Sequence, residues 1–277
     1  MLRNVFFSIL THFSVGMIFT IIFVSLEEIG RLFFRVTSLV ALALILFALA
    51  AQPFPELGYL QAFDLGGGEA DRFHRLTYLF FILCTASIVI YNLLHPRLHR
   101  PLLVMAGIFG LLGVASYSLA FYQPRASAWF EALIHVANGI GSALLLGSVL
   151  GAMITGHWYL VQHNLSLNPL KSSSKVYIAS TALRILVVGM SVAFYANLPS
   201  GAKALSHLAS LDFSGLLILS RLTFGLVIPL IFGIMVWKAT AIRSTQSATG
   251  ILYATIVLVL IGETFAKYLY FLLGIPL

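Results

Sequence analysis

Glu131, His135, Asn138 and Ser142 are spaced four, three and four residues apart, which on a helix places an acid, an imidazole, a carboxamide and a hydroxyl on one face. Glu263 and Lys267 stand one helical turn apart and can neutralise each other in a low-dielectric site. Such groups hydrogen-bond polar ligands, move protons and stabilise developing charge. Their setting makes them informative, because each lies in a long apolar stretch, as do His12, Arg184 and Arg221.

That setting runs through the whole chain. Of its 277 residues, 60% are hydrophobic and 9% charged, against about 25% charged in ordinary globular proteins, and the mean hydropathy is +1.00. A water-facing surface cannot be built from this composition, so a soluble enzyme, a disordered chain and a disulfide scaffold are excluded. The only cysteine, Cys84, rules out an internal disulfide, a thiolate zinc site and a four-cysteine iron–sulfur cluster. Any such cluster must belong to a partner. The formal charge of +7 is spread over short connectors and reads as a topology signal rather than a nucleic-acid patch.

About 20 mostly apolar residues cross a bilayer as a helix. The sequence supplies eight such stretches, Val5 to Leu26, Leu32 to Ala51, Leu76 to Leu94, Leu102 to Tyr122, Trp129 to Ile154, Val176 to Leu198, Phe213 to Trp237 and Gly250 to Leu272. The expected architecture is an all-α, polytopic membrane bundle of about eight helices forming a single domain over residues 1–277. The start Met1-Leu2-Arg3 precedes a run too long for a signal peptide and lacking a small-residue cleavage site, so the first stretch reads as a retained helix. Gly66-Gly67-Gly68 is followed by Glu69 rather than Lys and reads as a turn, not a phosphate loop. Connectors after the odd-numbered stretches hold Arg31, Arg35, Arg97, Arg100, Lys171, Lys175, Lys238 and Arg243, whereas the other side holds Arg3, Arg72, Arg75, Arg125 and Lys203 with most of the acids. The positive-inside rule then puts both termini outside, in a multi-pass protein of the inner (cytoplasmic) membrane.

Ionisable groups within a span cost about 3 kcal/mol when they face lipid, so they turn toward protein or a wet cavity. From the helical rise, His12 lies about 10 Å, His135 about 9 Å, Arg221 about 12 Å, Glu263 about 14 Å and Lys267 about 8 Å from the outer ends of their spans. All five fall in the outer half, while Arg184 lies nearer the middle. On the inner side, Gly156-His157-Trp158-Tyr159 with His163, and His95 with His99, suggest metal binding, yet no acid or cysteine completes a set. No metal site is expected, and Trp158 and Tyr159 read as interfacial anchors.

The last stretch, Gly262-Glu263-Thr264-Phe265-Ala266-Lys267-Tyr268-Leu269-Tyr270-Phe271, resembles the closing helix of the membrane-anchor subunits of the dimethyl sulfoxide reductase and polysulfide reductase type. There a Gly-Glu pair is followed one turn later by a basic residue and then by aromatics. The resemblance implies an eight-helix anchor with both ends outside, exchanging electrons between a membrane quinone and an iron–sulfur subunit docked on the outer face.

The leading expectation is therefore a quinone-binding membrane subunit of a respiratory oxidoreductase, taking menaquinone or ubiquinone and docking to other subunits of a redox complex. Glu263 would relay a proton and Glu131 would pass it to water. His12 or His135 would bond a quinone carbonyl, with Arg184 beside them, and Arg221 and Lys267 would stabilise negative charge on the reduced ring. A b-type haem held by His12 and His135 is a variant of the same class. A transporter or channel is a second class, disfavoured by the lack of an inverted repeat, and a purely structural accessory subunit is a third.

Overall fold

The computed structural model describes residues 2–51, 69–94, 98–120, 128–162, 165–198, 206 and 212–277. Among them the chain is helical throughout, with α1 (Leu2–Ile21), a single turn α2 (Leu26–Ile29), α3 (Arg31–Ala51), α4 (Glu69–Leu94), α5 (His99–Ala120), α6 (Ala128–Val161), α7 (Asn168–Ala196), α8 (Phe213–Ala241) and α9 (Thr245–Leu273). Seven of these are long and apolar enough to cross a membrane, and α4 contributes a shorter apolar stretch, Arg75–Ile90. The connector with Gly66-Gly67-Gly68, and His95 and His163, lie outside the described residues.

The polarity of the bundle is reversed relative to a soluble protein. Phe47, Leu112, Leu186, Met190 and Val257 are exposed, whereas Arg184, Arg221, Glu131 and Glu263 are buried. Only a hydrocarbon solvent stabilises that arrangement, and the chain is a multi-pass membrane protein. Burial also separates the helices into ranks. The apolar windows of α1 and α6 are 78% and 72% buried, against 33–39% for the other five, so these two form the central pair and the rest face lipid. One apolar core joins α1, α3, α4 and α5, and a second joins α1 to α6, α7, α8 and α9.

The α1–α6 seam is set by glycine. A Cβ on Gly16 would meet the backbone of Ala143, and one on Gly147 would meet the backbone of Gly16, so the helices touch main chain to main chain. In lipid, where no hydrophobic force drives helices together, such close approach is what van der Waals packing needs. The Phe7 ring of α1 lies tilted against Tyr117 near the end of α5, and Arg184 of α7 reaches the backbone of Leu277. Ser8, near the start of α1, and Leu277 line one cavity, so both chain ends lie at the same end of the bundle.

Helix limits differ from the hydropathy reading where polar residues extend a helix past the apolar core. α6 has 34 residues, about 51 Å at 1.5 Å per residue, well beyond the roughly 30 Å hydrocarbon layer. It absorbs His157, Trp158 and Tyr159, which the sequence placed in a connector. Trp158 packs edge-on against Phe33, Tyr159 donates to the Ser166 carbonyl, and His157 pairs with Tyr253. Conversely, the first helix stops at Ile21 rather than Leu26, because Ile22, Phe23 and Val24 bond three residues back and leave the helix. The chain then turns so that Glu28 accepts from Ser166 Oγ at 2.7 Å and Asn168 Nδ2 at 3.1 Å. Those two hydrogen bonds hold the exposed Glu28 carboxyl below its ordinary range.

Two outcomes follow. Gly147→Ala lowers stability by about 1–3 kcal/mol, since backbone cannot move aside, whereas Gly189→Ala, with nothing within 4 Å of the added methyl, raises it by about 0.5–1 kcal/mol; denaturant unfolding in detergent separates them. Because the Glu28 pKa is depressed in the folded state, the tether it makes is present above the ordinary carboxylate pKa of about 4.3 and is lost as pH falls through the lower folded value. Hydrogen-exchange protection around Ser166, taken relative to the intrinsic rate at each pH, should fall on acidification in the native chain and stay constant in Glu28→Gln.

Candidate functional site

Glu263, on α9, is fully buried and holds the site together. Its Oε1 accepts from Arg184 Nε at 3.0 Å and Arg221 Nη2 at 2.8 Å, and its Oε2 accepts from Ser142 Oγ at 2.6 Å and Arg184 Nη2 at 3.3 Å. Lys267, the next turn of the same helix, stands 3.5 Å from Oε2 and donates to Ser142 Oγ at 2.6 Å. Arg184 spreads further, donating to Asn138 Oδ1 at 2.5 Å and to the Leu277 carbonyl at 2.9 Å. A fork-shaped guanidinium can serve several acceptors at fixed angles, which an ammonium cannot.

Local backbone makes these reaches possible. Just after Arg221, α8 widens into a π-helical turn over Thr223–Val227, and Pro229 follows. Pro229 has no N–H to continue the regular ladder, and its carbonyl accepts from Tyr177. Gly225 in that turn lies against Gly262 of α9, so the two helices touch beside Glu263, and a side chain on Gly225 would also strike the Arg221 guanidinium. Gly141 leaves room for the Arg184 stem in the same way.

Hydroxyl protons fix one nitrogen of each of two histidines as a donor. Ser142 has one hydrogen and gives it to Glu263, so the 2.9 Å contact with His12 Nδ1 has the ring as donor. Tyr195 gives its hydrogen to Glu131 Oε1 at 2.9 Å, so the 3.1 Å contact with His135 Nε2 again has the ring as donor. In the neutral tautomers His12 Nε2 and His135 Nδ1 carry no hydrogen.

A partly open cavity of about 80 Å³ lies where α1, α5, α6, α7 and α9 meet, at the end of the bundle that carries both chain ends. His12, His135, Asn138, Ser142, Arg184 and Lys267 form its polar wall. Tyr117, Tyr270, Phe271 and the returning tail, Pro276 and Leu277, complete the lining. The tail returns because Gly274 takes a left-handed conformation, φ 69°. One water needs about 10–15 Å³, so the cavity holds several waters or the polar edge of a ring.

The structure thus gathers all seven residues singled out from the sequence into two joined groups. Glu263, Arg184, Arg221, Lys267 and His12 form one network, and Glu131 joins His135 through Tyr195. Three placements change. Arg184 shares the level of Glu263 instead of lying deeper, and Arg221 stands behind Glu263 rather than on the cavity wall. Glu131, expected at an open mouth, is 1% exposed. Tyr195, Ser191 and the tail gave no sequence signal, since a tyrosine near a helix end reads as an interfacial anchor. Among the described residues no cluster of histidine, cysteine and acid suits a metal ion. Comparison of the chain with known protein families, characterised proteins and solved structures finds no match.

The carboxylate is the keystone by energetics as well as position. Glu263→Gln leaves three buried cations with no charged partner and is expected to destabilise the chain by about 3–5 kcal/mol. Adding Arg221→Gln to that variant should recover part of the loss, because one uncompensated charge disappears with it. A double-mutant cycle in detergent measures the coupling, and strictly additive losses would contradict the pairing.

Proposed function

We propose that the chain is a quinone-binding integral membrane subunit of a respiratory oxidoreductase, passing electrons between the quinone pool and a partner redox subunit. One observation carries the reading. Histidines, arginine and lysine from four helices line one partly open cavity together with Tyr117, Tyr270, Phe271 and Pro276. That combination suits a ring with two polar oxygens and an isoprenoid tail, menaquinone or ubiquinone, entering edge-on from the bilayer.

In this reading His12 Nε2 and His135 Nδ1 accept protons from ring hydroxyls. A proton arriving on His135 passes along Nε2, the Tyr195 hydroxyl and Glu131 toward the bundle end, each step within hydrogen-bond reach. Arg184 and Lys267 orient the ring oxygens. Glu263, bonded by three cations and Ser142, remains ionised and holds Arg184 and Lys267 in place. It therefore acts as a fixed counter-charge, and the relay passes to His135, Tyr195 and Glu131. A bis-histidine haem fits less well, since a porphyrin must lie between His12 and His135 and the cavity there is about 80 Å³. The arginine and lysine distribution supports placing the cavity end outside an inner (cytoplasmic) membrane, where an iron–sulfur subunit would dock.

Tyr195→Phe removes only the oxygen between His135 and Glu131. It should slow quinol oxidation by native membranes by about 10²-fold, within the range for lost acid–base catalysis, and leave binding of a short-tail quinone to the purified chain within about twofold. Wild-type chain that binds no short-tail quinone in nanodiscs, or that alone moves solute into liposomes, would overturn the reading.

A further inference from the structure

The end of the bundle opposite the cavity carries lysines that the protein leaves without counter-charges. Lys171 and Lys175 stand one turn apart near the start of α7, and Lys238 lies in the last turn of α8. None of the three forms an ion pair among the described residues. The neighbouring sequence offers no partner, since α7, α8 and the part of α9 before Glu263 contain no acid. Glu28 reaches the start of α7, but its two oxygens accept from Ser166 and Asn168. Two lysines at i,i+4 repel, so helix formation by itself disfavours the pair.

The Lys175 side chain shows where its charge is held. Its Nζ lies 5.3 Å from the centre of the Trp237 ring, a cation–π contact that joins α7 to α8 and keeps the ammonium against the bundle. Tryptophan rings settle at the headgroup level of a bilayer, and the contact fixes the charge at that depth. Toward the middle of the bundle both helices turn apolar side chains outward, Leu183 and Leu186 on α7 and Ile231 and Ile234 on α8. Lys175 is about 14 Å along α7 from Arg184 by the helical rise, so this surface is separate from the cavity.

We propose that α7 and α8 bind an anionic phospholipid, its phosphate held by Lys175 and Lys238 with Lys171 one turn further out, and its acyl chains lying along Leu183, Leu186, Ile231 and Ile234. Such a lipid supplies both the negative charge that no acid of these helices provides and the apolar chains that their outer faces require. A zwitterionic lipid carries its own ammonium beside the phosphate, which opposes the attraction. The site is independent of what the cavity binds.

Trp237 reports on the site directly. In a chain carrying Trp129→Phe and Trp158→Phe it is the only tryptophan, and bromine on the acyl chains of an adjacent lipid quenches its fluorescence. In phosphatidylcholine bilayers at equal mole fraction, brominated phosphatidylglycerol should quench Trp237 as though enriched about fivefold over brominated phosphatidylcholine. Lys175→Gln combined with Lys238→Gln should abolish the enrichment, whereas Arg31→Gln, which removes a cation from α3 at the same end, should leave it intact. Equal quenching by the two brominated lipids overturns the proposal. So does an equal loss in the Arg31 and lysine variants, because the preference then belongs to the surface charge as a whole. If the double tryptophan variant fails to fold, the wild-type chain extracted from an equal mixture of the two lipids decides: it should retain phosphatidylglycerol preferentially and the lysine variant should not, and retention of both lipids alike overturns the proposal.

Discussion

A carboxylate withdrawn from water inside a membrane bundle persists as an anion only where cations reach it, and at Glu263 three do so from three helices. This constraint orders the second half of the molecule. Arg184 must come across from α7, Arg221 must be let in by the widened turn of α8, and Lys267 must lie one turn along α9. Each approach needs space that larger residues would take, which is why Gly225 meets Gly262 and Gly141 faces the Arg184 stem. The ion cluster and the glycines are two sides of one packing solution. Removing either leaves the other with no partner in a medium that supplies none.

The same network divides the site into a rigid part and an exchangeable one. Glu263 accepts from Ser142, Arg184 and Arg221 in short, charge-assisted bonds, which fix its position. His135, Tyr195 and Glu131 form a linear chain in which each group can both give and take a proton, and that chain runs from the cavity toward the bundle end. Ser142 ties His12 to the rigid part, because its single hydrogen, given to Glu263, makes His12 Nδ1 the donor of their contact. The groups lining the cavity are therefore positioned by a carboxylate that does not itself line it.

The membrane class, the helical architecture and the identity of the buried charges were legible in the chain itself. Apolar runs of bilayer length admit only helices, and an ionisable residue within such a run must turn inward, so Glu263, Arg221, Lys267, His12 and His135 were marked by composition alone. The Glu131–His135–Asn138–Ser142 stripe was readable because helical periodicity is local. Helix ends were read less well. His157, Trp158 and Tyr159 carried polar and aromatic character that resembles a connector, yet backbone hydrogen bonding extends through them as α6.

Other features required the fold. Tyr195 had no signal because its role depends on α7 lying beside α6, a neighbour relation that hydropathy does not encode. Arg184 looked deeper than Glu263 when depth was counted along its own helix, but a long guanidinium and the staggered ends of α7 and α9 bring them to one level. The sequence by itself determined the solvent this protein folds in and which side chains could not be left facing it, because those follow from transfer free energies that each residue carries alone. Only the tertiary structure decided which of those side chains share a cavity, which carboxylate is held by three cations and which is bonded to Tyr195, because pairing energies in a low dielectric depend on distances between helices that no single segment specifies.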